Sequence, residues 1–146
     1  MKRLIFAVLW DSGSFMLSRN FRLQRIGDLS WLLRNYCLAE VAGGLDEIMI
    51  LNVGDDPLID DVLLSAVRTI AHECFVPITF GGGVRSVDDA QKLLEVGVDK
   101  IVMNTSIHRD PSLCESISRR FGRQFLVQGI DFLRRDPEVP PLVRLK

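Results

Sequence analysis

Thr79-Phe80-Gly81-Gly82-Gly83-Val84-Arg85-Ser86, with Val98-Asp99-Lys100-Ile101-Val102-Met103-Asn104-Thr105 downstream, is the stretch whose reading decides the fold. A β-branched and aromatic run ends in three consecutive glycines, and a helical pattern with Ser86, Asp88 and Asp89 in its first turn begins at once. This is a strand–turn–helix unit. Glycines lack a Cβ and let backbone N–H groups close on a ligand, while a helix start offers unpaired donors and the positive end of its dipole. Together these suit a phosphate. The alternative is that the three glycines only make a tight turn between strand and helix.

Working outward, the same unit recurs. Leu4–Trp10 is a continuous apolar run of strand length, the pattern of a strand buried on both faces of a parallel sheet. Asp11-Ser12-Gly13-Ser14 is turn chemistry, and Phe15–Phe21 reads as an extended loop or short returning strand. Asp28 is an N-cap for a helix with Leu29, Leu32, Leu33 and Tyr36 on one face, and Gly43-Gly44 ends the connection. Glu47–Val53 is the second strand and Leu58–Cys74 the second helix. Val76–Phe80 enters the glycine run, and the helix after it closes at Gly97. Ile101–Asn104 is the fourth strand; Asp110-Pro111 caps a helix running to Gly122, and Phe125–Ile130 is a fifth strand ending at Asp131.

The order is βα four times plus one strand, which predicts an α/β fold with a parallel sheet. Two architectures satisfy it: an open doubly wound sheet, or half of a (β/α)₈ TIM barrel, since a whole barrel needs ~250 residues. In both, ligands sit at the carboxyl ends of the strands. Those ends carry Trp10, Asp11, Asn52, Gly81–Gly83, Asn104, Thr105 and Asp131. Topology brings the glycine run beside Asn104-Thr105, where an amide, a hydroxyl and backbone donors can share one anion. At the amino ends stand Arg3, Glu47 and Lys100, either a charge network across the bottom of a barrel or ordinary solvated charges.

Composition sets outer bounds. The 146 residues suit a single domain at ~150 residues per domain. The expected organisation is a half-barrel over residues 1–133 and an irregular tail over 134–146, which contains three prolines and no clear period. With 18 basic residues against 19 acidic ones and a net charge of -1, no nucleic-acid or membrane surface is expected. Cys37, Cys74 and Cys114 are odd in number, fall in helical patterns and lack metal spacing. Buried reduced thiols of a cytoplasmic protein are expected, with no metal and no cofactor. Leu4–Trp10 is too short to cross a bilayer, and no signal-peptide cleavage pattern follows it. His72 and His108 lack an acidic partner at fixed spacing and read as surface residues; Trp31 and Phe121 read as packing.

Taken together, Lys2-Arg3-Leu4-Ile5, Asp46-Glu47-Ile48, Pro77–Val84, Asp99–Thr105, Asp110-Pro111-Ser112-Leu113 and Gly129-Ile130-Asp131 make the chain resemble the cyclase subunit (HisF type) of imidazole glycerol-phosphate synthase, a (β/α)₈ barrel of histidine biosynthesis. The resemblance covers nearly all of this chain and the first half of the family's barrel. It implies that Gly82, Gly83, Asn104 and Thr105 bind one phosphate of a phosphorylated small-molecule substrate. It implies that Arg3, Glu47 and Lys100 belong to a gate through which ammonia enters from a glutaminase partner, with Asp99 among bottom-face charges that could dock it. The family's acid–base pair is two aspartates at the ends of strands one and five. Asp131 matches the second; at the first stands Leu9, with Asp11 displaced along the turn and Leu17 in place of a nearby lysine. Asn52 stands where the family usually has an aspartate. A leucine can neither take nor give a proton, and losing a positioned acid–base group costs ~10²–10⁴ in rate.

This pattern, with Phe15–Arg22 after strand one, looks more like the cyclase-like paralogues of surface-polysaccharide amidotransferases. Those are thought to pass ammonia to a sugar-linked substrate. Two functions follow: a cyclase-type synthase subunit, or a catalytically inactive half-barrel that binds phosphate or assembles with itself as a homodimer. An isolated half-barrel would expose sheet edges and an apolar inner face.

Overall fold

The computed structural model describes residues 2–20, 22–133 and 142–143. Five strands are parallel neighbours in the order β1 (Ile5–Asp11), β4 (Glu47–Asn52), β5 (Ile78–Gly81), β6 (Lys100–Met103) and β7 (Leu126–Gln128). Between them run α1 (Leu29–Tyr36) and α2 (Leu38–Val41), then α3 (Asp61–Glu73), α4 (Val87–Glu95), and α5 (Thr105–Arg109) with α6 (Pro111–Phe121). This alternation is the (βα)₄β half of a TIM barrel.

Beyond β1 the sheet continues through an antiparallel hairpin, β2 (Ser14–Arg19) and β3 (Arg22–Gly27). Its first turn puts Ser12 and Gly13 at φ 45° and 81°, the positive values that a two-residue hairpin of the I′ type requires. The returning strand is therefore present, and β3 is an addition to the expected set. Its sequence Arg-Leu-Gln-Arg-Ile-Gly has no buried residue, so no apolar alternation marks it.

Helices start where side chains can take orphan N–H groups: Asp28 accepts from Trp31 N, Asp60 from Leu63 N, Ser86 from Asp89 N, and Asp110 from Ser112 N and Leu113 N. Their apolar faces, with Leu32, Leu63, Val67, Ile70, Ala90, Leu93 and Ile117, cover one side of the sheet, burying Val8, Trp10, Ile48, Ile50, Ile78, Phe80 and Ile101. Full burial of each such side chain contributes about 1.5–3 kcal/mol.

The other side of the sheet is uncovered among the described residues, which corrects the expectation of a first strand buried on both faces. Along β1, Val8 and Trp10 are buried while Ile5 and Ala7 are exposed. The thiols need a correction as well. Cys74 is buried, Cys114 half-buried, and Cys37 exposed. Cys37 sits between α1 and α2 at φ 46°, so the chain turns there and carries the side chain out of the core.

Most of the 134–146 tail lies outside the described residues; within it, β9 (Leu142–Val143) pairs antiparallel with β8 (Phe132–Leu133). No helix among the described residues is long and apolar enough to cross a membrane.

Candidate functional site

The glycine run closes β5 at the carboxyl edge of the sheet. Gly82 and Gly83 take φ 94° and 83°, a region side chains rarely enter. A Cβ on Gly82 would stand 2.1 Å from Asn52 O, and one on Gly83 2.8 Å from Pro57 O. Both glycines are thus required by the close approach of the β4–α3 loop, a reason independent of any ligand. The Gly83 N–H makes no hydrogen bond among the described residues, which leaves a donor at the site.

The β4–α3 loop is fixed from two sides. Asn52, buried on β4, donates from Nδ2 to Leu58 O at 2.8 Å. Arg85, immediately after the glycine run, pairs with the Asp56 carboxylate and donates to Pro57 O at 3.3 Å.

Asn104 and Thr105 follow β6, half-buried, and their side chains have no hydrogen-bond partner among the described residues. Gly129 makes room for Asn104, since a Cβ there would stand 3.2 Å from the Asn104 Cβ. The two expected halves of the cradle are joined by Ser106, whose hydroxyl donates to Val84 O at 3.1 Å. The sequence reading passed over Ser106, Arg85 and the anchoring role of Asn52. Ser106 is the second residue of a five-residue helix, Thr105–Arg109, too short to leave a periodic signal.

The two candidate acid–base groups are placed apart. Asp11 is half-exposed, its Oδ1 accepts from Ser12 Oγ at 2.8 Å, and it borders a cleft of about 350 Å³ shared with Trp10, Asn52 and Asp55–Leu58. Asp131 is exposed after β7, with β4, β5 and β6 between its strand and β1. Leu9 lies between Met16 and Leu51 on the neighbouring strands.

At the amino end of the sheet, the three expected charges meet. Glu47, 3% exposed, accepts from Arg3 at 2.5 Å and from Lys100 at 3.2 Å. Its other oxygen takes the hydroxyl of Thr79, a fourth member the charge pattern did not disclose. Strand alternation contains the signal: Thr79 is paired with Met49, two residues beyond Glu47 and on the same face. Burial pushes the Glu47 carboxyl up, but hydrogen bonds from Thr79, Lys100 and Arg3 outweigh it and hold it below the usual carboxylate range. Asp99 is occupied locally, accepting from Ile78 N at 2.8 Å. His72 and His108 are exposed, and no group of three or more His, Cys, Asp or Glu among the described residues is placed to hold a metal ion.

With this geometry in hand, comparison with known proteins is specific. Residues 34–141 match the family described as histidine biosynthesis protein. A protein of Parasynechococcus marenigrum (strain WH8102) named hisF2, for the imidazole glycerol phosphate synthase subunit, is 45% identical over 131 residues, which cover 90% of this chain and 49% of that protein. The imidazole glycerol phosphate synthase subunit HisF of Mycobacteroides abscessus is 38% identical over 140 residues, 94% of this chain and 53% of the relative. That of Legionella pneumophila is 41% identical over 99 residues, 68% and 47% respectively. The chain spans about half the length of these relatives. With a matching family model over most of its length and the half-barrel that the sequence order predicts, the chain belongs to the histidine biosynthesis protein family.

Proposed function

We propose that residues 1–133 form the phosphate-binding half-barrel of a cyclase-type synthase subunit, which takes a phosphorylated small molecule at the glycine loop and receives ammonia from a glutaminase. The observation that carries this reading is the joining of the two cradle halves. Gly83 keeps a free N–H donor, and the Ser106–Val84 bond ties its loop to the side chains of Asn104 and Thr105, which have no hydrogen-bond partner among the described residues. Neutral donors at neighbouring strand ends favour an anion over a neutral ligand. The glutaminase part is supported by the Arg3–Glu47–Lys100 cluster at the opposite end of the sheet and by the relatives' names as synthase subunits.

Titration of the purified chain with inorganic phosphate tests the binding step. Saturable binding is expected, weakened about tenfold in Asn104→Ala, the loss of one or two hydrogen bonds to a charged ligand. No binding by the unmodified chain would defeat the proposal.

A second reading is favoured by a different observation. By the resemblance, Leu9 stands where the family has its first acid–base group, paired with Met16 and Leu51 on the neighbouring strands, and Asp11 is displaced along the turn. On that reading the chain binds phosphate without cyclising anything, or pairs with itself through its uncovered sheet face. An assay with ammonia as nitrogen donor separates the two.

A further inference from the structure

The hairpin of β2 and β3 carries three arginines, Arg19, Arg22 and Arg25, and no acidic residue. Arg19 and Arg22 are direct partners across the two strands. Side chains so opposed have Cβ atoms about 4.5–5.5 Å apart, and like charges there are destabilising. Both arginines are exposed, and neither forms an ion pair or side-chain hydrogen bond among the described residues. Gln24 stands two residues from Arg22, hence on the same face of the hairpin. Arg19, Asn20, Arg22, Leu23 and Gln24 line a hollow of about 570 Å³. We propose that the Arg19–Arg22 pair is an anion clamp, which binds a phosphoryl group of a small phosphorylated ligand.

The chemistry of the pair selects the ligand. Each guanidinium is a planar fork of N–H donors with no acceptor, so two of them side by side can be satisfied only by water or by an anion. A carboxylate would balance one of the two charges. A phosphate dianion balances both and has enough terminal oxygens to meet each fork. Charges on an exposed edge strand also guard against strand addition, but that role is served by charges spread along the strand and does not call for two opposed at one rung. The order β2-β1-β4-β5 places three strand spacings, roughly 14 Å along the sheet, between this pair and the glycine run, so one phosphoryl group cannot reach both. The clamp therefore goes beyond the glycine-loop reading and does not depend on it.

The test follows the arginine Nε–Hε signals of the full chain by NMR during titration with inorganic phosphate. The parent is compared with Arg19→Gln, Arg22→Gln and, as a control for the loss of one positive charge, Arg68→Gln at an exposed position on α3. Expected are saturable shifts of the Arg19 and Arg22 signals in the parent. Affinity read at the remaining arginine should be at least about tenfold weaker in either hairpin variant and unchanged at the pair in Arg68→Gln. Absence of saturation, or an equal loss in Arg68→Gln, overturns the clamp. So does a hairpin variant that binds phosphate as the parent does but self-associates more readily, which is the mark of edge charges alone. If Arg22→Gln does not fold, Arg19→Gln decides. The glycine loop is read separately, from the Gly83 amide signal and its response to Asn104→Ala. Shifts there with none at the arginines defeat the clamp and leave the glycine-loop reading standing; the reverse supports the clamp and defeats that reading alone.

Discussion

Glu47 carries a full set of donors, from Arg3, Lys100 and Thr79, in a position almost closed to water. Burial alone would favour its protonated form; the three donors reverse that and depress its pKa. The sign of the linkage follows. A depressed carboxylate contributes stability that is fully present above the unfolded-state value of ~4.3 and is lost as pH falls through the folded-state value. Glu47→Gln keeps the shape, removes the charge, and leaves two cations facing an amide. Because Arg3 and Lys100 keep partial access to solvent, the expected loss near neutral pH is about 1–3 kcal/mol rather than the full cost of an orphaned buried ion. Urea unfolding at neutral pH and below pH 4 checks it: the gap between the two proteins should narrow in acid. A gap unchanged with pH would show that the charge is not what stabilises the cluster. The three charges were legible as residues standing at strand starts. Thr79 was not, because a hydroxyl becomes a partner only once the register of two strands is known.

At the scale of elements, legibility followed the chemistry of ends and faces. Asp28, Ser86 and the Asp110-Pro111 pair announce helix starts because their side chains satisfy orphan N–H groups. The start of α3 was set too early, at Leu58, where the apolar pattern begins. The structure begins it at Asp61, because Asp60 accepts from Leu63 N at 2.8 Å and Leu58 belongs to the loop that Asn52 holds. Asp60→Ala should therefore cost about 1 kcal/mol, read as a lower urea midpoint with an unchanged slope. No change in midpoint would mean that the apolar face alone fixes the helix start. Elements without a buried face stayed illegible. β3 pairs by backbone bonds with exposed side chains, and α5 owes its place to Ser106 and a neighbouring carbonyl. The glycine run was ambiguous for a deeper reason. Its residues meet two demands, approach to Asn52 O and Pro57 O and a free donor at Gly83, and the sequence shows only that glycine is needed.

For the molecule as a whole, the decisive asymmetry is between the two faces of the sheet. Helices seal one face with apolar contacts, while the other presents exposed Ile5 and Val127 with half-buried Leu9, Met16, Met49, Leu51 and Val102. Register puts Leu9 beside Leu51, and a Cβ on Gly81 would stand 2.9 Å from Leu51 and 3.3 Å from Val102, so these residues share one continuous apolar surface. At its margin β7 pairs only with β6 among the described residues, leaving a row of unpaired backbone groups. Open edges and apolar faces are the features by which sheets find partners. The chain as given should therefore associate in a concentration-dependent way, and sedimentation equilibrium over a wide concentration range should show a dimer. Val127→Glu places a charge on this surface at the edge strand, where it meets water in the monomer and an apolar partner in the dimer. Burial of an unpaired charge is strongly unfavourable, so the variant should dissociate at concentrations at least about tenfold higher than the parent chain requires. Its unfolding temperature at high dilution should stay close to that of the parent, because the substitution is exposed in the single chain. A parent chain that remains monomeric at every concentration would exclude self-pairing through this face, and a dimer indifferent to Val127→Glu would place the contact elsewhere.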